Sequence, residues 1–437
     1  MFKFFTILIL ALFLFSCSED KKFLDEVISE NLEFFEDGKG IAEKVNLPQD
    51  YIALKDNKKI LDTNFVNSTE IGLYLNILTL IDKGIISSPK ISSGFAKKRI
   101  LETLEKVEKM ETWNGLFFWP YNFVDGEIIA KGDRIAPAVD NGNFSISLAT
   151  LVGAYQNSDN EIDKKIVSKT EKILDNQKEG YFQIYDGERK LLSAGWDVLN
   201  DRRLGYWIDR KMNESRLATI WAILLTDGKI PIDVFINMGL TTETYRLSNG
   251  RNIEYYLTWD GGIFQAFYPA LFIDEKHLIK NYYKFENFVY AQKDYIDKNW
   301  IPSFISASST PDNGYTGMGV MELAEVVLNF KDAGPYIDFG TPHATALTYM
   351  VNPKIALYYL KKIKKDFPKI NSNGYGWYDA ISYKKGNNSR ILSLDQGMFI
   401  LSFYADYNRK YLKDYLERKG KWDKLKEIYS HFKEEGE

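Results

Sequence analysis

Apolar residues recur at three- and four-residue spacing in many separate stretches of this chain, the signature of helices that bury one face. The clearest stretch runs from Asn213 to Thr226, where Leu217, Ile220, Trp221, Leu224 and Leu225 form a stripe behind an Asn suited to capping. Comparable stretches fall near 64–82, 95–110, 143–156, 162–176, 262–273, 276–296, 319–329, 343–350, 353–366, 395–407 and 409–433. The pattern predicts about a dozen helices, one per roughly 35 residues. Strand-like alternation is rare and short. The stretches do not repeat one another in sequence, and no Pro/Ser-rich linker divides the chain.

A dozen amphipathic helices in one uninterrupted domain can close as an inner and an outer ring, the all-α (α/α)6 toroid, or continue as an open solenoid. The connections favour the toroid. They are long, aromatic and acidic on alternate turns, at 113–140, 180–213, 255–262, 300–319 and 371–395, whereas a solenoid uses short turns. The expected organisation is a leader over 1–16, a short polar tether over 17–22 and a single toroidal domain over 23–437, with its long loops gathered at one mouth.

The leader has its own character. Lys3 precedes an apolar run from Phe4 to Phe15 that ends in Ser16-Cys17, a short signal segment followed by a lipoprotein-type cysteine. A membrane-spanning helix needs roughly 20 apolar residues, and the polar stretch from Ser18 to Lys22 follows too soon for that. Cys17, the sole cysteine, is the expected lipidation site, which leaves no intramolecular disulfide and no thiolate metal site. The expected location is the bacterial cell envelope, lipid-anchored to a membrane and facing outside the cytoplasm. A net charge of −4 argues against a nucleic-acid partner.

The chemistry on offer is aromatic and carboxylic. His277, His343 and His431 are the only histidines and lie far apart, and no P-loop, dinucleotide fingerprint or Gly-x-Ser-x-Gly elbow occurs, so neither metal nor cofactor is expected. The long loops instead hold Trp119, Tyr121, Trp207, Trp259, Tyr315, Trp377 and Tyr378 beside Asp140, Glu214, Asp260, Asp379, Asp395 and Gln396. Flat aromatic faces stack on the C–H faces of sugars, while carboxylates and amides bond sugar hydroxyls. The partner expected is therefore a glycan. With 15 % aromatic content, many of these rings must equally serve as packing.

From Trp300 to Tyr407 the chain resembles the bacterial glucoamylase-like domain family, which is related to the endo-β-1,2-glucanases. The resemblance rests on Trp300 with Ser306-Ala307-Ser308 and Pro311-Asp312-Asn313-Gly314-Tyr315, on Thr341-Pro342, on Tyr375-Gly376-Trp377-Tyr378-Asp379-Ala380, and on Leu394-Asp395-Gln396-Gly397. Asn213-Glu214 with Arg216-Leu217-Ala218, and Asn114-Gly115-Leu116-Phe117-Phe118 with Val139-Asp140, are further matches. The departures are Ile301-Pro302-Ser303-Phe304 where the family has an early Gly, Trp377 where it has Phe, and Met398 where it has Pro. The resemblance implies an (α/α)6 fold and action on a glucan.

It also implies a catalytic pair, with Glu214 as general acid and Asp379 as general base in an inverting mechanism, their carboxyl groups about 6.5–9.5 Å apart. One physical argument opposes this. A first-turn position would expose Glu214 to the helix dipole, which favours the ionised form, unless burial against Trp196, Trp207 or Trp221 outweighs it. Asp395 and Asp140 read as helix N-caps as well as possible sugar ligands. Two functions fit the sequence: a lipid-anchored glycoside hydrolase, and a catalytically silent relative that captures a glycan at the cell surface.

Overall fold

The computed structural model describes residues 19–434 except 57, 327–336 and 372–373. Its principal helices are, in chain order, α1 (19–32), α2 (Ser68–Asp82), α3 (Ser93–Val107), α4 (Ala138–Tyr155), α5 (Glu161–Asn176), α6 (Arg216–Leu225), α7 (Ile263–Phe267), α8 (Tyr283–Lys298), α9 (Pro342–Thr348), α10 (Pro353–Asp366), α11 (Ser393–Ser402), α12 (Ala405–Arg418) and α13 (Trp422–Ser430).

A helix buried on every side needs small or apolar residues all round, and one buried along a stripe needs them only every third or fourth position. Both kinds occur, and they sort into two layers. α2 is buried from Ser68 through Ile81, whereas α5 buries Asp163, Ile166, Thr170, Ile173 and Leu174 and leaves its other faces to solvent. The helices of the first kind close a ring: α2 packs on α4, α4 on α6, α7 on α9, α9 on α11, and α11 back on α2. Between α6 and α7, the Arg216 guanidinium donates to the carbonyls of Gln265 (3.2 Å) and Ala266 (2.8 Å).

Around this ring lie α3, α5, α8 and α10. Both chain ends add to the outer layer, α1 docking on α10 through Lys364 to Glu26 (2.8 Å) and Glu30 (2.6 Å), and α13 packing on α6. The expected (α/α)6 toroid is the architecture observed. Its inner helices approach closely where side chains are missing. A Cβ on Gly142 of α4 would lie 2.4 Å from the Cα of Ala218 on α6. Gly142→Val should therefore push the two helices apart at a cost of about 3 kcal/mol, read as a lower denaturation midpoint with an unchanged m-value.

Strands are more numerous than the alternation pattern predicts, and they sit in the long loops. The connection into α4 is a hairpin, Trp119–Val124 against Glu127–Pro137, turned by Asp125-Gly126 with φ of +51° and +89°. Asp-Gly is the preferred pair for such a two-residue turn. This hairpin joins Phe65–Val66, Gly195–Asp197 and Arg202–Arg203 in a five-stranded sheet. A second sheet ties the ring shut: Tyr51–Lys55 pairs antiparallel with Arg390–Leu392, Ile52 opposite Ile391, which joins a strand ahead of α2 to the strand that enters α11.

Other expectations shift. In the described part of the stretch 319–329, Met321–Leu323 is a single 3₁₀ turn and 325–326 are helical; 327–329 lie outside the described residues. The segment read as a tether over 17–22 is helical from residue 19. Cys17 and the leader lie outside the described residues. Among those described, no helix is long and apolar enough to cross a membrane.

Candidate functional site

The inner helices start at one mouth, and most start with a carboxyl group. Glu70 is the third residue of α2, Asp140 the third of α4 and Asp395 the third of α11, while Glu214 and Asp260 stand just ahead of α6 and α7. α9 opens with Pro342-His343, and His343 Nδ1 lies 3.1 Å from Asp395 Oδ2, without the alignment of a hydrogen bond. Helix N-termini favour negative charge, so each carboxylate suits its own helix. Convergence changes the balance, because burial and mutual repulsion both favour the protonated form.

Glu214 shows this most clearly. Its carboxyl is pushed up to about 8, first by burial and then by the charge of Asp260, with Asp140 adding to the effect. It stands before α6 rather than in its first turn, beside Asn213, whose Oδ1 accepts from Ser215 N (2.9 Å). Desolvation thus outweighs the helix dipole. Glu214 Oε2 is buried without a hydrogen-bond partner, and Glu214 lines a cavity of about 510 Å³ together with Tyr206, Trp207, Arg210, Asn213 and Trp259. Of the three tryptophans considered as cover, Trp207 lines this cavity. Trp221 stacks on Tyr415 in the core, and Trp196 stacks on Trp113.

Asp260 is fixed by Gly262 N, which donates to Oδ1 at 2.7 Å, and its other oxygen is buried and unpaired. Burial pushes it up to about 7. Asp140 accepts from Thr69 Oγ1 at 2.9 Å and is raised by burial to about 6. Next to it, the carboxyls of Asp50 and Glu70 share a hydrogen bond, and burial followed by the charge of Asp50 holds Glu70 well above the carboxylate range. Ser393 N donates to Asp50 O (2.8 Å), so the strand pairing that shuts the ring also sets Asp50 beside Asp395.

Asp379 and Asp395 form the other wall. Asp379 is 1 % exposed; its Oδ1 accepts from Leu392 N at 2.9 Å and its Oδ2 is buried and unpaired. Burial, and then the charge of Asp395, raise its pKa well above the usual carboxylate range. Asp395 Oδ2 accepts from Ser308 Oγ (3.3 Å). Neither Asp395 nor Asp140 is the N-cap it was expected to be. Leu392 and Pro137 hold those positions, which frees both carboxyl groups for the mouth.

The structure divides the aromatic candidates. Trp207 and Trp259 flank the cavity with Glu214. Tyr315 is 61 % exposed as a residue, yet burial of its hydroxyl, and then the charges of Asp395, Asp50, Glu214 and Asp260, raise its pKa. Trp119 is 42 % exposed on the five-stranded sheet. Trp377, by contrast, is fully buried, donates from Nε1 to Glu30 Oε2 (2.7 Å) and packs on Phe399. Tyr121 is also fully buried, its hydroxyl donating to Glu111 O (2.6 Å) and accepting from Phe118 N (2.9 Å). Gln396 Nε2 donates to Trp377 O (2.9 Å), and Tyr378 is nearly buried. Trp377, Tyr121 and Gln396 hold the walls from behind, so their expected place as sugar contacts is corrected to one of support.

Asp50, Glu70 and His343 also join the site, and no local motif marks Asp50 or His343. A signal existed for Glu70: Asn67 with Glu70 three residues later is a capping box, and both of its bonds form, Glu70 N to Asn67 Oδ1 at 3.0 Å and Asn67 N to Glu70 Oε2 at 2.9 Å.

Residues 206–419 match the model of the Glycoamylase family, described as "Putative glucoamylase". No curated protein matches the chain. Among solved structures, the endo-β-1,2-glucanase of Talaromyces funiculosus in complex with sophorose superposes with a TM-score of 0.82 at 14 % identity, over 95 % of this chain and 90 % of that one. The endo-β-1,2-glucanase of Chitinophaga pinensis, with sophorotriose and glucose, gives 0.74 at 17 % identity, over 93 % and 98 %. A structure described as a putative glucoamylase from Bacteroides caccae ATCC 43185 gives 0.74 at 18 % identity, over 91 % and 96 %. The chain thus carries a glucoamylase-family match over residues 206–419, and over nearly its whole length it shares the fold of these endo-β-1,2-glucanase structures.

Proposed function

We propose that this protein is a glycoside hydrolase that cleaves a β-glucan, with β-1,2-linked glucan the first substrate to try, by an inverting acid/base mechanism. The observation that carries the reading is Glu214: a buried carboxyl group with one oxygen unpaired, pushed up to about 8 by burial and the charge of Asp260, on a residue that lines a cavity walled by Trp207 and Trp259. Such a group is poised to donate a proton to the glycosidic oxygen as the bond to the anomeric carbon breaks. The base must take a proton from water attacking the opposite face. Burial, and then the charge of Asp395, raise Asp379 well above the usual carboxylate range and disfavour its ionised form, the form a base needs. Asp395, which shares the field at the Tyr315 hydroxyl with Glu214, is then the base, and Asp379 positions it. This moves the role assigned to Asp379 from sequence onto its neighbour.

The sugar contacts proposed are stacking on Trp207 and Trp259, hydrogen bonds to Asp140 and the Tyr315 hydroxyl, and an outer contact at Trp119. Cys17 is proposed to carry the lipid that tethers the domain outside the cytoplasm, so the Cys17→Ser protein should leave the membrane fraction or stay unprocessed. The test of function is a panel of linear β-1,2-, β-1,3- and β-1,4-glucans and an α-1,4-glucan, followed by new reducing ends. Release from β-1,2-glucan is expected to be fastest. Preferred cleavage of the α-1,4-glucan would overturn the substrate assignment.

A further inference from the structure

Trp300 occupies a position that disfavours it. α8 ends at Lys298 with Asn299 as its cap, and the next residue adopts φ of +51° while Ile301 N donates to Ile296 O (2.9 Å). This is the left-handed closing residue of a helix C-terminus, where glycine is preferred because a Cβ is strained. The side chain is not hidden in compensation: Trp300 is 71 % exposed. Its ring lies on that of Tyr383, with centroids 4.6 Å apart and planes 20° from parallel. Tyr383 is itself fixed, its hydroxyl donating to Asp366 Oδ2 (2.6 Å) and its ring against Phe367 (5.5 Å). The result is a flat indole face, held from below and open above.

Its place in the fold says what would lie on it. Tyr383 belongs to the hairpin Ile381–Ser382 and Gly386–Asn387, which begins two residues after Asp379. Ile381 exchanges backbone hydrogen bonds with Gly340 (2.8 and 3.0 Å), just ahead of α9, and Thr341 N donates to Phe304 O (2.8 Å), just beyond Trp300. Both supports of the platform therefore spring from the mouth at which the inner helices start. We infer that Trp300 on Tyr383 is a second glycan-binding platform at the rim of the mouth, which holds a neutral glucan chain beyond the reach of Glu214 and Asp395. A sugar ring matches a wide, level aromatic face through its C–H groups, and a chain that leaves the cleft over this rim meets it. The inference rests on the glucan-hydrolase reading above.

Trp300→Gly removes the platform and gives the left-handed position its preferred residue, so the fold should persist. KM for long β-1,2-glucan should rise about 3- to 10-fold, the range of one aromatic stack, with kcat unchanged. Hydrolysis of a short oligosaccharide should stay within about 2-fold. Trp300→Phe should restore polymer KM, and Tyr383→Ala should reproduce the loss. Unchanged polymer KM in Trp300→Gly, or equal losses on short and long substrates, would overturn the platform while leaving the hydrolase reading intact. A wild-type protein that cleaves no glucan defeats the hydrolase reading first and the platform with it. Sedimentation with vesicles of phosphatidylethanolamine and phosphatidylglycerol that depends on Trp300, with polymer KM unaffected, would make the face a membrane contact and likewise overturn the inference.

Discussion

Glu214→Gln is expected to lower kcat on β-1,2-glucan by about 10²–10⁴-fold, the usual contribution of a positioned general acid, while KM changes little. The amide keeps the shape of the carboxyl group and can still donate a hydrogen bond, but it cannot give up a proton to the leaving oxygen. The pH profile is a second signature. Wild-type kcat/KM should fall as pH rises through about 8, where Glu214 loses its proton. Asp260 is the neighbour whose charge most raises Glu214, so Asp260→Asn should move that alkaline limb to lower pH. Near-normal turnover in Glu214→Gln would remove this residue from the chemistry. A limb unmoved in Asp260→Asn would show that the charge of Asp260 has no part in raising Glu214.

Asp395→Asn should be as damaging, with kcat again down about 10²–10⁴-fold, because no other carboxyl in the Asp379–Asp395 wall shares the field at Tyr315 with Glu214. Asp379→Asn should be milder. Asp379 fixes the wall through Leu392 N (2.9 Å), so its amide should lower kcat less. If Asp379→Asn proves the inactive variant and Asp395→Asn retains turnover, the roles are reversed and the assignment made from sequence is the right one.

The helices were legible because the inner and outer layers write different patterns. α5 shows the stripe of a one-faced helix, and α2 the near-continuous run of one buried all round. The five-stranded sheet was less legible, since Ile128, Ile129 and Ala130 stand in a short run whose Asp125-Gly126 turn was its one strong marker. At the mouth, local context had singled out Glu214 and Asp395 as candidates. Asp50 was not singled out, because its place beside Asp395 is set by the pairing of Tyr51–Lys55 with Arg390–Leu392, a contact across most of the chain. Trp377 and Tyr121 misled for the opposite reason. An aromatic residue in an acidic loop reads the same whether it faces the sugar or the core, and burial alone separates the two.

The central claim is that carboxyl groups at the mouth hydrolyse a β-glucan with inversion. Proton NMR of the wild-type protein mixed with linear β-1,2-glucan tests it most directly, because new reducing ends and their anomeric form appear in the same spectrum. The account predicts that reducing-end signals grow in first as the α-anomer and only then mutarotate. β-Anomers appearing first would contradict the inverting pair, and a spectrum in which glucan binds while no reducing ends form would make this a glycan-capturing protein instead of an enzyme.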